Sequence, residues 1–296
     1  MSKAFFEKIR TGKILVSDGA TGTNLLQRGL PRGVSGENWV LEKPEEIVRL
    51  HRDFIDAGAD IILTCTFSAS PLRLEGSELA GRALEINHRA VELAHQAIGE
   101  RSVLVGGSMG PAGKLLKPYG PLSEEDAVQS FAKQAQALSE AGVDLLVIET
   151  QFDLNEAKAI LRGIRQVSSL PVVCSFSFDR GTRTMMGVKP AQIQAELKGL
   201  EAGDETIALG INCGRSLAEN LAALKELRPT TDLPIWFKPN AGLPEVDAGG
   251  NAHYSTTPEQ MGQLVSEWIA AGAQIVGGCC GTSPEHLRQI ASAAHE

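Results

Sequence analysis

Cys279 and Cys280 stand side by side in Gly277-Gly278-Cys279-Cys280-Gly281-Thr282, and Cys213 closes the run Gly210-Ile211-Asn212-Cys213-Gly214. Neighbouring side chains of a strand point to opposite faces. Two adjacent cysteines therefore reach one atom only where the backbone bends, and Gly277, Gly278 and Gly281 supply the freedom for that bend. Three thiolates at two strand ends form a soft donor set that suits zinc, and three protein ligands leave a fourth tetrahedral position open, as in a catalytic site. The plainer reading of a cysteine is a small buried hydrophobe, and it suits Cys65 and Cys174, which fall inside expected strands. A third reading, a vicinal disulfide at Cys279-Cys280, is opposed by a reducing compartment.

Other residues could supply a substrate pocket. Asp18-Gly19-Ala20-Thr21-Gly22-Thr23 puts a carboxylate ahead of a glycine-rich turn, whose successive backbone N–H groups can hold an anion. It lacks the G-x-G-x-x-G spacing of a dinucleotide fingerprint. Glu149-Thr150 ends an expected strand with a carboxylate, a natural partner for an ammonium group. An anion cradle and a carboxylate together describe a pocket for the two ends of an amino acid. A lysine in a strand, here Lys238, raises the thought of a Schiff base, but Lys238-Pro239 and Lys189-Pro190 read as loop or rim positions. His51, His88, His95 and His286 fall on expected helices without an i, i+4 pair and read as surface or capping residues.

These residues need a scaffold. Ala57-Gly58-Ala59-Asp60, Ala141-Gly142-Val143-Asp144 and Ala271-Gly272-Ala273-Gln274 each follow a helical pattern and precede an apolar run. Glycine there reads as the left-handed residue that closes a helix, and the run after it as a buried parallel strand. Extended along the chain, this joint gives strands near 13–18, 60–67, 103–109, 144–149, 171–178, 206–212, 234–239 and 274–279. Helices are expected near 44–57, 78–99, 123–141, 154–167, 190–202, 216–227, 258–271 and 284–294. Ser123 with Asp126, Thr257-Pro258-Glu259 and Ser283-Pro284-Glu285 are capping signals. Eight alternations with no break in composition imply a single (β/α)8 barrel, with residues 1–296 as one domain. A doubly wound open sheet is the alternative. Strand-to-helix connections run long, at 19–43, 68–77, 110–122, 179–189 and 240–257, with 242–251 a polar loop. Function in a barrel gathers at those connections.

Composition narrows the partners. The 296 residues carry 28 basic and 36 acidic side chains, a net charge of -8. With no contiguous basic cluster, that argues against nucleic acid. Met1 to Lys13 lacks the apolar run of a signal peptide, and no stretch approaches the roughly 20 apolar residues of a membrane span. Five cysteines, an odd number, do not suggest a disulfide framework. A cytoplasmic protein with reduced thiols and no membrane contact is expected.

Four segments carry a resemblance: Asp18 to Thr23, Gly210-Ile211-Asn212-Cys213, Pro239-Asn240-Ala241-Gly242-Leu243-Pro244, and Gly277 to His286. In order, they resemble the homocysteine S-methyltransferase family, which includes the homocysteine-binding module of cobalamin-dependent methionine synthase and the betaine–homocysteine methyltransferases. The likeness spans essentially the whole chain. It implies a zinc barrel in which Cys213, Cys279 and Cys280 hold the metal and Asn240 approaches it when substrate is absent. It also implies that Asp18, Gly19, Ala20 and Glu149 hold the amino-acid end of homocysteine. The chain departs from the family at Thr64-Cys65-Thr66-Phe67-Ser68, where methionine synthases read Thr-Asn-Thr-Phe and betaine enzymes follow the phenylalanine with a tyrosine. Trp39 is not at the betaine enzymes' spacing. Quaternary ammonium needs aromatic faces, so a corrinoid-carried methyl group or a sulfonium is the expected donor. Folate and cobalamin modules are absent, so a corrinoid would arrive on a separate protein.

The purified protein is expected to hold one zinc ion. Cys213→Ala, Cys279→Ala or Cys280→Ala should remove it and Cys174→Ala should not, as read by metal analysis; full zinc retention in Cys280→Ala contradicts the site.

Overall fold

Eight parallel strands, each followed by at least one helix, make up the body of the structure, a computed structural model that describes residues 4–199, 207–247 and 252–295. The end of the expected helix 190–202, the first residue of the expected strand 206–212 and part of the loop 240–257 lie outside the described residues. The elements are α1 (Ala4–Arg10), β1 (Leu15–Val16), α2 (Thr21–Gln27), α3 (Gly36–Glu42), α4 (Pro44–Asp56), β2 (Ile61–Leu63), α5 (Pro71–Leu74) and α6 (Ala83–Ile98). They continue with β3 (Leu104–Met109), α7 (Glu124–Ala141), β4 (Leu145–Gln151), α8 (Leu154–Val167), β5 (Val172–Phe176), α9 (Pro190–Leu197), β6 (Ile207–Cys213) and α10 (Leu217–Leu227). The last are β7 (Ile235–Pro239), β8 (Pro244–Val246), β9 (Ala252–Tyr254), α11 (Pro258–Ala270), β10 (Ile275–Val276) and α12 (Pro284–His295).

The strand order is β1-β10-β7-β6-β5-β4-β3-β2. A parallel bridge from Ser17 to Ile61 brings the two edges together, so the sheet curls into a (β/α)8 barrel and the open-sheet alternative falls. Gly58, Gly142 and Gly272 close their helices at φ of 106°, 99° and 102°, a region that side chains with a Cβ avoid. Two of the three capping signals are seen as side-chain caps. Ser123 Oγ accepts from the Asp126 N–H at 3.1 Å, and Thr257 Oγ1 accepts from the Gln260 N–H at 3.3 Å.

Side chains sort by strand face. Leu15, Ile61, Leu104, Leu145, Val147, Val173, Trp236 and Ile275 fill the barrel interior and pack with Phe5, Phe6 and Ile9 of α1. That helix, which the repeat pattern did not include, closes the end of the barrel where the strands begin. The other end is left to polar residues.

Three corrections concern the connections. The segment 19–43 folds into α2 and α3, and 68–77 contains α5. The reading of 242–251 as a polar loop is wrong where it can be compared, because Pro244–Val246 pairs antiparallel with Ala252–Tyr254. A hairpin satisfies backbone groups within a long excursion. His51 is not on the surface: it is 1% exposed and lies inside α4's buried face.

Phe5→Ala removes the ring of a residue 1% exposed. It should cost about 3–5 kcal/mol of stability, read as a lowered denaturation midpoint; a loss under about 1 kcal/mol would mean that α1 is no part of the core.

Candidate functional site

Cys213, Cys279 and Cys280 come together at the end of the barrel where the strands finish, with their Sγ atoms all within 4.8 Å of one another. Cys213 is the last residue of β6, and its Sγ lies 2.9 Å from that of Cys279. Its backbone is left-handed at φ 56°, and Thr150, at the tip of β4, is left-handed at φ 62°. Non-glycine residues held there store about 1–3 kcal/mol each. The two touch, with Thr150 Oγ1 3.8 Å from Cys213 Sγ. Asn212 fixes the pair: its Oδ1 accepts from the Thr150 N–H at 2.8 Å and its Nδ2 donates to Thr150 Oγ1 at 2.8 Å.

Asn240 clamps the two cysteine segments to each other. Its Oδ1 accepts from the Cys280 N–H at 2.9 Å and its Nδ2 donates to the Gly214 carbonyl at 2.8 Å. Both ends of its amide thus bond to backbone, and Oδ1 keeps a second lone pair. The paired cysteines are tied in turn to the 18–23 turn. Thr282 Oγ1 donates to the Cys279 carbonyl at 2.6 Å and accepts from the Ala20 N–H at 3.1 Å. Asn24 Nδ2 donates to the carbonyls of Ala20 and Thr282 at 2.6 and 2.8 Å.

The three glycines around the cysteines work differently from the expectation. Only Gly281 is left-handed, at φ 82°. Gly277 and Gly278 are needed for close packing, because a Cβ would meet the Ser17 carbonyl oxygen at 2.6 Å and Thr282 at 2.4 Å.

A cavity of about 550 Å³ opens over the thiols, and Gly19, Ala20, Ser108, Glu149, Lys238 and Phe67 are among its lining residues. Gly19, Ala20 and Glu149 thus face one cavity. Asp18 does not line it: it is 1% exposed, its Oδ1 takes the Lys238 ammonium at 2.7 Å and its Oδ2 takes the Leu63 N–H at 2.8 Å. With the Ala20 N–H spent on Thr282, the 18–23 turn offers less of an anion cradle than its sequence suggests. Lys238 is corrected from a rim position to a buried one, 2% exposed, within β7. Cys65 and Cys174 are buried, as expected, although Cys65 also reaches the cavity.

Burial disfavours charge, and this site is arranged around that fact. Burial pushes the Glu149 carboxyl up to about 7, although the Lys238 ammonium pulls it down. The Ser108 hydroxyl donates to it. Burial pushes Lys238 toward its neutral form, but Asp18 and Glu149 outweigh that and hold it above the usual lysine value. Hydrogen bonds from Cys213 and Cys279 hold the Cys280 thiol below the ordinary thiol range, while the same contacts and burial push Cys213 well above it. The three thiols are thus coupled, and a negative charge on one opposes ionisation of the next. A thiophilic cation would reverse that opposition, and three sulfur donors suit a soft metal.

Sequence reasoning missed Ser108, gave Thr150 and Asn212 no role of their own, and set Lys238 aside as a rim residue. Asn212 was legible in part, since it directly precedes Cys213 in the quoted motif. Nothing local marks Ser108, which matters only because β3 lies beside β4.

The family model described as homocysteine S-methyltransferase matches residues 15–294. Methionine synthase of Mycobacterium tuberculosis is 31% identical over 299 residues, covering 95% of this chain but 24% of its own length. The Mycobacterium leprae protein of the same name is 30% identical with the same coverage. The chain thus spans about a quarter of the curated relatives it matches. Among solved structures, the homocysteine methyltransferase MmuM from Escherichia coli in its metallated form superposes with a TM-score of 0.80 at 28% identity, covering 95% of this chain and 96% of that one.

Asn240→Ala removes both amide bonds that hold the cysteine segments together. Loss of such a supporting group should weaken metal affinity about 10- to 100-fold, measured by competition with a chelator; unchanged affinity would make Asn240 a bystander.

Proposed function

The chain belongs to the homocysteine S-methyltransferase family, and on that premise we propose that it transfers a methyl group to the thiol of homocysteine, giving methionine, with zinc at Cys213, Cys279 and Cys280. The observation that carries this reading is the convergence of three thiols, within 4.8 Å of one another, at a cavity of about 550 Å³. When bound, zinc supplies a Lewis acid that lowers the pKa of a thiol brought to its open position, so that thiolate prevails at neutral pH.

The chain's own residues bind and orient. Glu149 reaches the cavity beside Ser108 and Lys238. With its carboxyl pushed up to about 7 by burial, it gains a countercharge when an ammonium enters and is then held ionised. Lys238 faces the same cavity and offers a cation to the substrate carboxylate. Asp18 serves this end from behind, by holding the lysine in place at 2.7 Å. Gly19 lets the backbone come close, since a Cβ there would strike the Phe54 ring at 2.6 Å. Homocysteine anchored at its amino-acid end then presents its sulfur toward the thiols.

The donor follows from what the cavity lacks. Phe67 is the aromatic residue among its lining residues. Trp39 is 2% exposed in the core, and Tyr254, whose hydroxyl bonds to Cys280, adds one further ring beside the thiols. A trimethylammonium group needs several π faces, each worth about 0.5–2 kcal/mol. Betaine is therefore a poor donor, and a corrinoid-carried methyl group or a sulfonium a better one. A second reading, favoured by the likeness to methionine synthases, is a homocysteine-binding unit that turns over only with a methyl carrier.

Glu149→Ala should raise the homocysteine KM about 10- to 100-fold, the value of one charge-assisted hydrogen bond, and leave zinc content unchanged; unaltered homocysteine binding would remove Glu149 from the pocket. On zinc-loaded protein, kcat/KM for methylcobalamin should exceed that for betaine, and faster turnover with betaine would overturn the donor assignment.

A further inference from the structure

We infer that Tyr254 is a positioning residue for the metal centre: its hydroxyl draws charge from the Cys280 sulfur, and that favours a thiolate over a thioether at the open position. The inference rests on the methyl-transfer reading and adds a residue by which the site tells substrate from product.

Each of the three thiols has a partner that is not a cysteine. Thr150 Oγ1 lies 3.8 Å from Cys213 Sγ, Asn212 Nδ2 donates to Cys279 Sγ at 3.8 Å, and the Tyr254 hydroxyl bonds to Cys280. The directions are consistent. Thr150 Oγ1 accepts one hydrogen of the Asn212 amide at 2.8 Å, which leaves its own hydrogen for Cys213 and the second amide hydrogen for Cys279. A phenol is the most acidic of these three donors, so it makes the strongest bond to a thiolate. Thr150 and Asn212 also hold β4 to β6. Tyr254 is the member of the set that can be changed without disturbing the strands.

Tyr254 reaches this place on β9, outside the barrel repeat, where it pairs with Pro244 of β8. Its ring lies against Gly281, where any Cβ would strike it. The chain after it is anchored twice. Thr256 N–H donates to the Ala241 carbonyl at 3.1 Å, and Ala241 N–H in turn to the Cys280 carbonyl at 2.9 Å. His286 Nδ1 accepts from the Ser283 N–H at 3.2 Å, so its Nε2–H donates to the Thr256 carbonyl at 2.9 Å. The hydroxyl is thus fixed on Cys280 by the segments that carry the cysteines. Tyr254 is half-buried and is not among the residues lining the cavity, so it acts on the substrate through the sulfur.

Charge decides what that bond does. Three cysteine thiolates already outweigh a divalent ion, and homocysteine thiolate adds a further negative charge. Each sulfur then gives less of its charge to the metal and keeps more, and a hydrogen bond to the fuller sulfur is stronger. Methionine, a neutral thioether, brings no such charge. Loss of the hydroxyl therefore weakens homocysteine and leaves methionine as it was.

The test compares the wild-type chain with Tyr254→Phe, which keeps the ring on Gly281, both loaded with cobalt(II). The sulfur-to-cobalt charge-transfer bands should move to longer wavelength in the variant, because a sulfur freed of its hydrogen bond holds its electrons less tightly. By calorimetry, homocysteine should bind about 2- to 10-fold more weakly, the net worth of one hydrogen bond, and methionine with unchanged affinity. Bands that do not move, homocysteine affinity equal to wild type, or an equal weakening for both ligands overturns the proposal, the last by reducing Tyr254 to packing. A wild-type cobalt protein whose spectrum ignores homocysteine fails the methyl-transfer reading itself, and the role of Tyr254 with it.

Discussion

Three thiols that crowd one another in a buried place are the constraint on which this structure turns. Each loses hydration on burial, and ionising more than one without a countercharge sets like charges against each other. The fold accepts that arrangement only because backbone and amide groups hold it. Asn240 joins the segment after β7 to Cys280, Asn212 joins β6 to the tip of β4, and Thr282 joins the paired cysteines to the turn after β1. Left-handed backbone at Thr150 and Cys213 stores strain at the same place, an outlay borne by the packed barrel beneath. Such over-determination holds three sulfur donors in one place.

The barrel supplies the rest by geometry. One end is sealed by apolar side chains from α1 and the strand beginnings. The other carries buried charges in a chain that runs from Asp18 to Lys238, with Glu149 and Ser108 beside it. An ion pair in that position is weak evidence for stability. Its worth lies in specificity, since it leaves one carboxyl and one ammonium facing a cavity of about 550 Å³.

Much of this was legible along the chain, and the reasons are local. Glycine after a helix and an apolar run after the glycine reveal each helix-to-strand joint, so the strand count and order of the barrel followed. The cysteines were legible because their flanking residues are so restricted. What escaped depends on contacts distant in sequence. Lys238 looked like a rim residue because its partner, Asp18, lies 220 positions away. His51 looked exposed because histidine is a polar type, although Ile47, Val48, Phe54 and Ile55 at helical spacing put it on the buried face of α4. The two amide bonds of Asn240 are visible only once both cysteine segments are folded. α1 and the hairpin of β8 and β9 lie outside the repeat, and the seven residues of α1 show only one helical turn of apolar spacing, at Phe5, Phe6 and Ile9.

Cobalt(II) in place of zinc turns the central claim into a spectrum, because each thiolate bound to cobalt adds charge-transfer absorption in the near ultraviolet. The account predicts intensity from three thiolates in the substrate-free protein and a further increase, with proton release, when homocysteine is added. Methionine, which has no thiol to ionise, should give neither. A cobalt spectrum that homocysteine leaves unchanged, in protein shown by calorimetry to bind it, would contradict the account.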